Sequence, residues 1–345
     1  MTAGVDTDVV VDPDATRAGI EHVFAMGWSD GLPTLPATDE HVAEFLAHTT
    51  RDPDEVIATI PQLGKSATVR HAAVGAAMAG CAPEYFPVVL AAWDALGGEK
   101  PAQGGGWQST SSPSPMLVVN GDIRNRLGFN STGGVLGPGF RPNATIPRAI
   151  GLTISNIFGI RPHVLDQGTQ GVPGRWQMCV AEAEEDSPWE PLSVELGHSP
   201  GADALSTVMV RTTEFLDNRY YTSAEEVLLD FADSVRRTGS WIMRHSAVGL
   251  LLNPEHAWLF ADAGYSKQDV RDWLYENAVR TQADLRAVGK EYAVGTGHPD
   301  DEVHHVLADS SPASIPIVVA GSRNAAMSAI FRVFTTWSGR VVPIG

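Results

Sequence analysis

The stretch Ala247–His256, AVGLLLNPEH, decides the fold class. Its first six residues are apolar or small and carry no charge, which suits a buried strand and is short for a helix. Asn253-Pro254-Glu255-His256 then breaks the run. Asparagine is a strong helix N-cap and proline fits the first helical position, so a helix is expected to begin there. Two other short apolar runs share this form, MLVV at Met116–Val119 and IPIVVA at Ile315–Ala320, and both end in polar or glycine residues. An alanine-rich helix is expected after the second of these, beyond Gly321-Ser322-Arg323-Asn324. Strand–turn–helix units of this kind predict an α/β arrangement. Sites in open α/β sheets gather at the carboxyl ends of strands, which predicts that Asn120, His256 and Ser322 share one rim.

Working outward, helical periodicity predicts helices over Ala15–Met26, Asp39–Ala47 (capped by Thr38), Ser66–Gly80, Pro83–Leu96, Ile146–Phe158, Ser223–Arg237 and Ser266–Ala278. Alternation predicts strands over Arg175–Glu182 and Ser206–Thr213. In the first of these, Cys179 faces away from Trp176, Met178 and Val180. The chain therefore divides into a flexible arm, 1–14, a helical and glycine-rich pocket region, 15–200, and an α/β region, 201–345, packed against it as a neighbour or as part of one continuous domain. No strong internal sequence repeat and no low-complexity segment is visible.

The pocket is expected between Trp107 and Arg148, WQSTSSPSPMLVVNGDIRNRLGFNSTGGVLGPGFRPNATIPR. Apart from the MLVV strand it is glycine, proline, hydroxyl, amide and arginine, a composition that contributes little core and suits the lining of a cavity. Asn143 or Thr145 is expected to cap a helix with Pro147 near its first turn. Free N–H groups at such a start, beside Arg141 and Arg148, would attract an anion. Asn120, Arg141, Asn143 and Arg148 are thus the expected substrate-binding residues.

Composition narrows the function further. A formal charge of −17, from 41 acidic and 24 basic residues, argues against a nucleic-acid or anionic-membrane partner. Two cysteines, Cys81 and Cys179, make no disulfide framework and show no metal-type spacing. No secretory signal and no bilayer-length apolar run appears, which predicts a cytoplasmic protein. A P-loop, an HEXXH motif and a nucleophile elbow are all missing. The run Gly295–His305, GTGHPDDEVHH, concentrates possible metal ligands but reads first as a solvated loop and helix start. No metal is assigned and no cofactor is named, and a homo-oligomer is left open.

Cys81 follows Gly80 and precedes Pro83, at a junction between two helices. A helix N-terminus favours a thiolate, whereas burial and the carboxylate of Glu84 oppose it. On residues alone Cys81 is more simply a small packing group. The loop Gly27–Pro36, GWSDGLPTLP, reads as a rigid linker, or as a pocket wall presenting Trp28 and Asp30.

Several stretches together resemble a family of uncharacterised bacterial proteins. They are MGWSDGLPTLPAT (Met26–Thr38), AMAGCAPEYFPVVLAA (Ala77–Ala92), VNGDI (Val119–Ile123), RPNATIPRAI (Arg141–Ile150), SPWEPL (Ser187–Leu192) and NPEHA (Asn253–Ala257). The resemblance extends over most of the chain. It departs within Asp30–Thr38, DGLPTLPAT, where members typically read DGLPVVPPT, and at Gly321-Ser322, where they tend to have two glycines. Relatives are associated with small UGSC-motif proteins whose cysteine or selenocysteine resembles the redox centres of glycine-reductase-type enzymes. The position of Glu84 beside Cys81 suits a base, and the resemblance implies Cys81 as nucleophile and His256 as acid–base partner, provided Cys81 and His256 are close. The expected function is then an enzyme acting on a small anionic metabolite, by a cysteine-assisted lyase or redox step. The alternative is a non-catalytic ligand-binding subunit that docks a small thiol or selenol redox protein.

Overall fold

A computed structural model describes residues 12–237, 247–290 and 297–345. The arm up to Val11 and the glycine end of the GTGHPDDEVHH run lie outside the described residues. The N-terminal third is helical. It comprises α1 (Pro13–Ala25), α2 (Asp39–Leu46), the hairpin β1 (Val56–Ile60) and β2 (Lys65–Thr68), then α3 (Val69–Ala79) and α4 (Phe86–Leu96). The glycine-rich region supplies β3 (Ser114–Asn120), the single turn α5 (Ile123–Arg126), α6 (Arg141–Thr153) and β4 (Met178–Ala181). Next come α7 (Leu192–Glu195), β5 (Ala204–Asp217), α8 (Ala224–Arg236), β6 (Val248–Leu252), α9 (Pro254–Asp262) and α10 (Lys267–Asn277). The chain finishes with β7 (Val279–Thr281), α11 (Gln282–Ala287), β8 (Val303–His305), β9 (Ile317–Val319), β10 (Met327–Val333) and β11 (Val341–Pro343). The architecture is α/β. No described helix is long and apolar enough to cross a membrane.

Several boundaries differ from the sequence reading for local reasons. Asp12 caps α1 through its side chain, so helix begins at Pro13, inside the stretch read as arm. Thr68 and His71 form a capping box, and this starts α3 three residues after Ser66, which belongs to β2. Helix α6 starts at Arg141 with Phe140 as an N-cap that makes no side-chain bond. Asn143 and Thr145 therefore lie inside the helix rather than capping it, and the N-terminal proline is Pro142, with Pro147 in the interior. The alanine-rich helix expected after Asn324 is instead β10. Its Ala329, Phe331 and Val333 face one core and Ile330 the other, a period of two that the small residues disguise.

One mixed sheet, in the order β4-β3-β5-β10-β6-β9 with β11 beside β5, joins both halves of the chain. It curls until its outer strands meet, where the Ala183 amide donates to the Val319 carbonyl at 2.7 Å. Next to that contact Asn130 and Ser131 wedge into the seam, accepting from the amides of Ala181 (3.4 Å) and Gly321 (2.9 Å). The inner face of the curl is one core, built from Met116, Val118, Val180, Val208, Val318 and Phe331 among others. The outer face divides in two. Leu117, Val119, Cys179 and Met209 pack in a core with residues of α3, α4 and α6, while Leu250, Leu252, Ile317 and Ile330 pack with residues of α8, α9 and α10.

The topology is palindromic. In each half a strand (β3 or β6) leads through helix to a parallel neighbour (β4 or β9), then to an antiparallel strand on its other side (β5 or β10). The first strands end alike, MLVVN at Met116–Asn120 and GLLLN at Gly249–Asn253, a likeness too short to stand out as a sequence repeat. Because β5 pairs antiparallel with β10, the two halves point in opposite directions. The single-rim expectation assumed strands of one direction, whereas Asn120 ends β3 and Asn253 ends β6 on oppositely directed strands; the two ends approach each other only across the seam, where Asp186 pairs with Arg323.

Candidate functional site

The glycine-rich loop between α5 and α6 is held by amides. The Asn143 side chain accepts from the Asn130 amide at 2.8 Å and donates to the carbonyls of Asn130 (3.2 Å) and Cys179 (2.9 Å). Asn130 in turn turns the chain, accepting from the Thr132 amide at 2.9 Å and donating to the Gly133 carbonyl at 3.0 Å. The segment Gly134–Gly137 then closes a tight turn in which Gly134 takes φ 70°, the left-handed conformation that glycine tolerates best.

This segment is a wall shared by two chambers. The first, of about 400 Å³, lies at the carboxyl ends of β6 and β9 and is lined also by Asn253, Gly321, Ser322 and Ser328. The second, of about 340 Å³, runs along the first turns of α6, against Asn143, Thr145, Arg148, Gln177 and Leu32. Val135, Leu136 and Gly137 face both. Mostly apolar concavities with a few converging polar groups are the usual form of a small-molecule site.

Of the expected binding residues, Asn143 and Arg148 line the second chamber. Arg148 is also a clamp. Its guanidinium pairs with both oxygens of Asp30 at 2.8 and 2.9 Å and donates to Thr34 Oγ1 (2.9 Å) and the Pro33 carbonyl (3.0 Å). Burial raises the Asp30 carboxyl, but the hydrogen bond and charge of Arg148 and two backbone amides outweigh it, holding the group below its ordinary range. Arg141 donates to the carbonyls of Gly80 (2.9 Å) and Cys81 (3.2 Å), just past the end of α3. Trp28 is exposed, edge-on to His22, and its carbonyl accepts from Asn156 at 2.9 Å. The loop of Trp28 and Asp30 is thereby fastened to α6 and contributes Leu32 to the chamber.

Asn120 is elsewhere. Its amide donates to Glu182 at 2.8 Å and Glu184 at 3.0 Å, on the rim where Lys267 meets Glu182 and Glu195. Nor does the structure bring Cys81 to His256. Cys81 is 5% exposed in the core shared by α3, α4 and α6, whereas His256 touches Phe231 and Phe260 in the core of α8–α10. Burial pushes the Cys81 thiol up to about 12. A hydrogen bond with Thr145, the charges of Arg141 and Arg148 and its own amide pull the other way and lose. The three-residue 3₁₀ turn at Pro83–Tyr85 offers little dipole to oppose that burial. Glu84 is exposed. Cys179, buried and free like Cys81, is pushed up further still by burial alone.

His256 is held at about 4 by burial, so its ring is neutral near pH 7. Its Nδ1 lies 2.7 Å from Ser328 Oγ, which also accepts from the Asn253 amide at 3.0 Å; Nε2 has no partner among the described residues. Ser328 lines the first chamber and was hidden from sequence reading by the helical interpretation of β10. Gln177 was hidden by the strand reading of a segment that is a turn. Thr145 was visible only as a cap. Among the described residues no three His, Cys, Asp or Glu side chains converge as a metal site.

Comparisons with protein-family models, with curated proteins and with solved structures return no match for the chain.

Proposed function

We propose that the protein binds a small metabolite bearing a carboxylate or similar anionic group, in the paired chambers divided by Gly134–Gly137. The observation that carries this reading is the shared wall: one short glycine turn faces both cavities, so a single ligand can be gripped from two sides. The anionic end belongs in the α6 chamber, where the helix start has no side-chain cap, the Gln177 amide lines the space and Arg148 adds its charge from within its pair with Asp30. The less polar body belongs against Val135 and Leu136.

The proposal is one of binding, with no chemical step assigned to Cys81, since a thiol raised to about 12 supplies almost no thiolate at neutral pH. Docking of a small thiol or selenol protein rests on the resemblance alone. A panel of small mono- and dicarboxylates, screened by thermal shift and followed by calorimetry, tests the reading. Gln177→Leu, which removes a side-chain amide donor from the chamber lining, should weaken a hit about tenfold, the loss expected for one hydrogen bond to a charged group. A panel without a single shift, or hits that bind the variant at full strength, would reject it.

A further inference from the structure

A third cavity, of about 390 Å³, lies well away in sequence from the paired chambers, between the end of α8, β7 and α11. Asp233, Arg236, Arg237, Arg280, Asp284 and Lys290 line it. Arg211 of β5 and Arg332 of β10 lie within electrostatic reach of Lys290. Among the described residues the neighbourhood thus holds six cations against three carboxylates, Asp233, Asp284 and Glu214, in a chain whose formal charge is −17.

Helix capping explains part of this. Arg236 and Arg237 end α8, and Lys290 donates to the Arg237 carbonyl at 3.0 Å, positions that suit the negative end of a helix. Ion pairs explain more: Arg236 meets Asp233 at 2.7 Å, Arg332 meets Glu214 at 2.6 Å, and Arg237 also pairs with Glu214. These account for Arg280 only in part: it comes from β7, its guanidinium donates to the backbone carbonyl of Asp284 at 3.2 Å, and the Asp284 carboxylate lies within its electrostatic reach. They do not account for Arg211, whose charge also reaches Lys290. Lys290 sits among these arginines, and burial first, then Arg280, Arg332 and Arg211, press its ammonium below the ordinary lysine range. Like charges gathered around a cavity repel one another, and an anion within it would relieve that repulsion.

We propose that this cleft is a second binding site, for the phosphate group of a small molecule. Arg280 and Lys290 are the principal donors, Arg280 from its planar fork and Lys290 as a point charge. The strongly acidic surface elsewhere keeps long polyanions away, so the ligand is a small phosphate ester or free phosphate. This inference is independent of the reading given to the paired chambers.

Calorimetry at low ionic strength, with inorganic phosphate and with a simple alkyl phosphate, tests it, and the tighter of the two identifies the source. Wild type should bind one of them with a Kd of about 1 mM or better, weakening as KCl is added. Arg280→Gln and Lys290→Gln should each weaken binding about tenfold, with circular dichroism used to confirm the fold; should one variant fold poorly, the other decides. Arg17→Gln, an exposed cation of α1 that lines none of the cavities, should leave it unchanged. Absence of binding by both probes, or undiminished binding by either well-folded variant, would overturn the proposal.

Discussion

Alkylation of Cys81 offers the sharpest check on the placement of the α3–α4 junction. The thiol is 5% exposed and pushed from 9.0 up to about 12 by burial. At pH 8 an unperturbed thiol of that reference is ionised in about one molecule in ten. Cys81 should be ionised in about one in ten thousand, so labelling should be about a thousandfold slower from ionisation alone. Burial of the sulfur slows it further, because reagent must reach it through local opening. The assay is iodoacetamide labelling of native protein between pH 7 and 10, read peptide by peptide by mass spectrometry, with urea-unfolded protein as reference. Cys81 and Cys179 should both be protected and both become reactive on unfolding. Cys81→Ser should retain whatever ligand binding the wild type shows. Native Cys81 labelling at the rate of the unfolded chain would refute the reasoning, because it would require a sulfur open to solvent and a thiolate stabilised by Arg141 and Arg148. It would also return thiol chemistry to the centre of the functional reading.

Two further outcomes follow from particular contacts. Asp30→Asn should cost about 1–2 kcal/mol at pH 7, since it removes a bidentate charge-assisted pair whose side chains are only partly exposed. The Asp30 carboxyl is depressed in the folded state, so its contribution is present above the unfolded value near pH 4 and is lost as pH falls through the folded value; the stability gap to the variant should close in acid, and a gap independent of pH would contradict the assignment. Gly249→Ala would drive a methyl into the ring of Phe331, 2.7 Å from Cε1 and closer to other ring atoms, and should cost at least about 1–3 kcal/mol in urea titrations. Phe331→Leu in the same chain should recover part of that loss, and a silent Gly249→Ala would mean that the inner core is looser than described.

What the sequence reveals follows from how local each signal is. Buried strands β3, β6 and β9 show as apolar runs because both their faces are covered, one by the inner core and one by helices. The cap at Thr38 shows because the amide it accepts from lies three residues away. The hairpin of β1 and β2 is mostly exposed or half-buried and leaves no apolar pattern to detect. Strand direction leaves no local trace either. The antiparallel pairing of β5 with β10 joins residues more than a hundred positions apart, and that one pairing puts Asn120 and Asn253 at the ends of oppositely directed strands.

The site fails to show for the same physical reason in a sharper form. An arginine beside a glycine run reads as an anion receptor because its own partners cannot be seen. Here Asp30 lies 118 residues before Arg148, and Gly80 lies 61 residues before Arg141. Once those distances are folded away, both guanidinium groups are also structural ties. Arg148 holds the Asp30 loop, and Arg141 holds the carbonyls beside Cys81. Those ties bring two arginine charges near the sulfur, yet burial by α3 and α4 still sets its protonation. The arginine pattern that suggested an anion site is therefore also part of the scaffold that seals Cys81, and the open space lies on the far side of Thr145, where α6 meets the glycine turn.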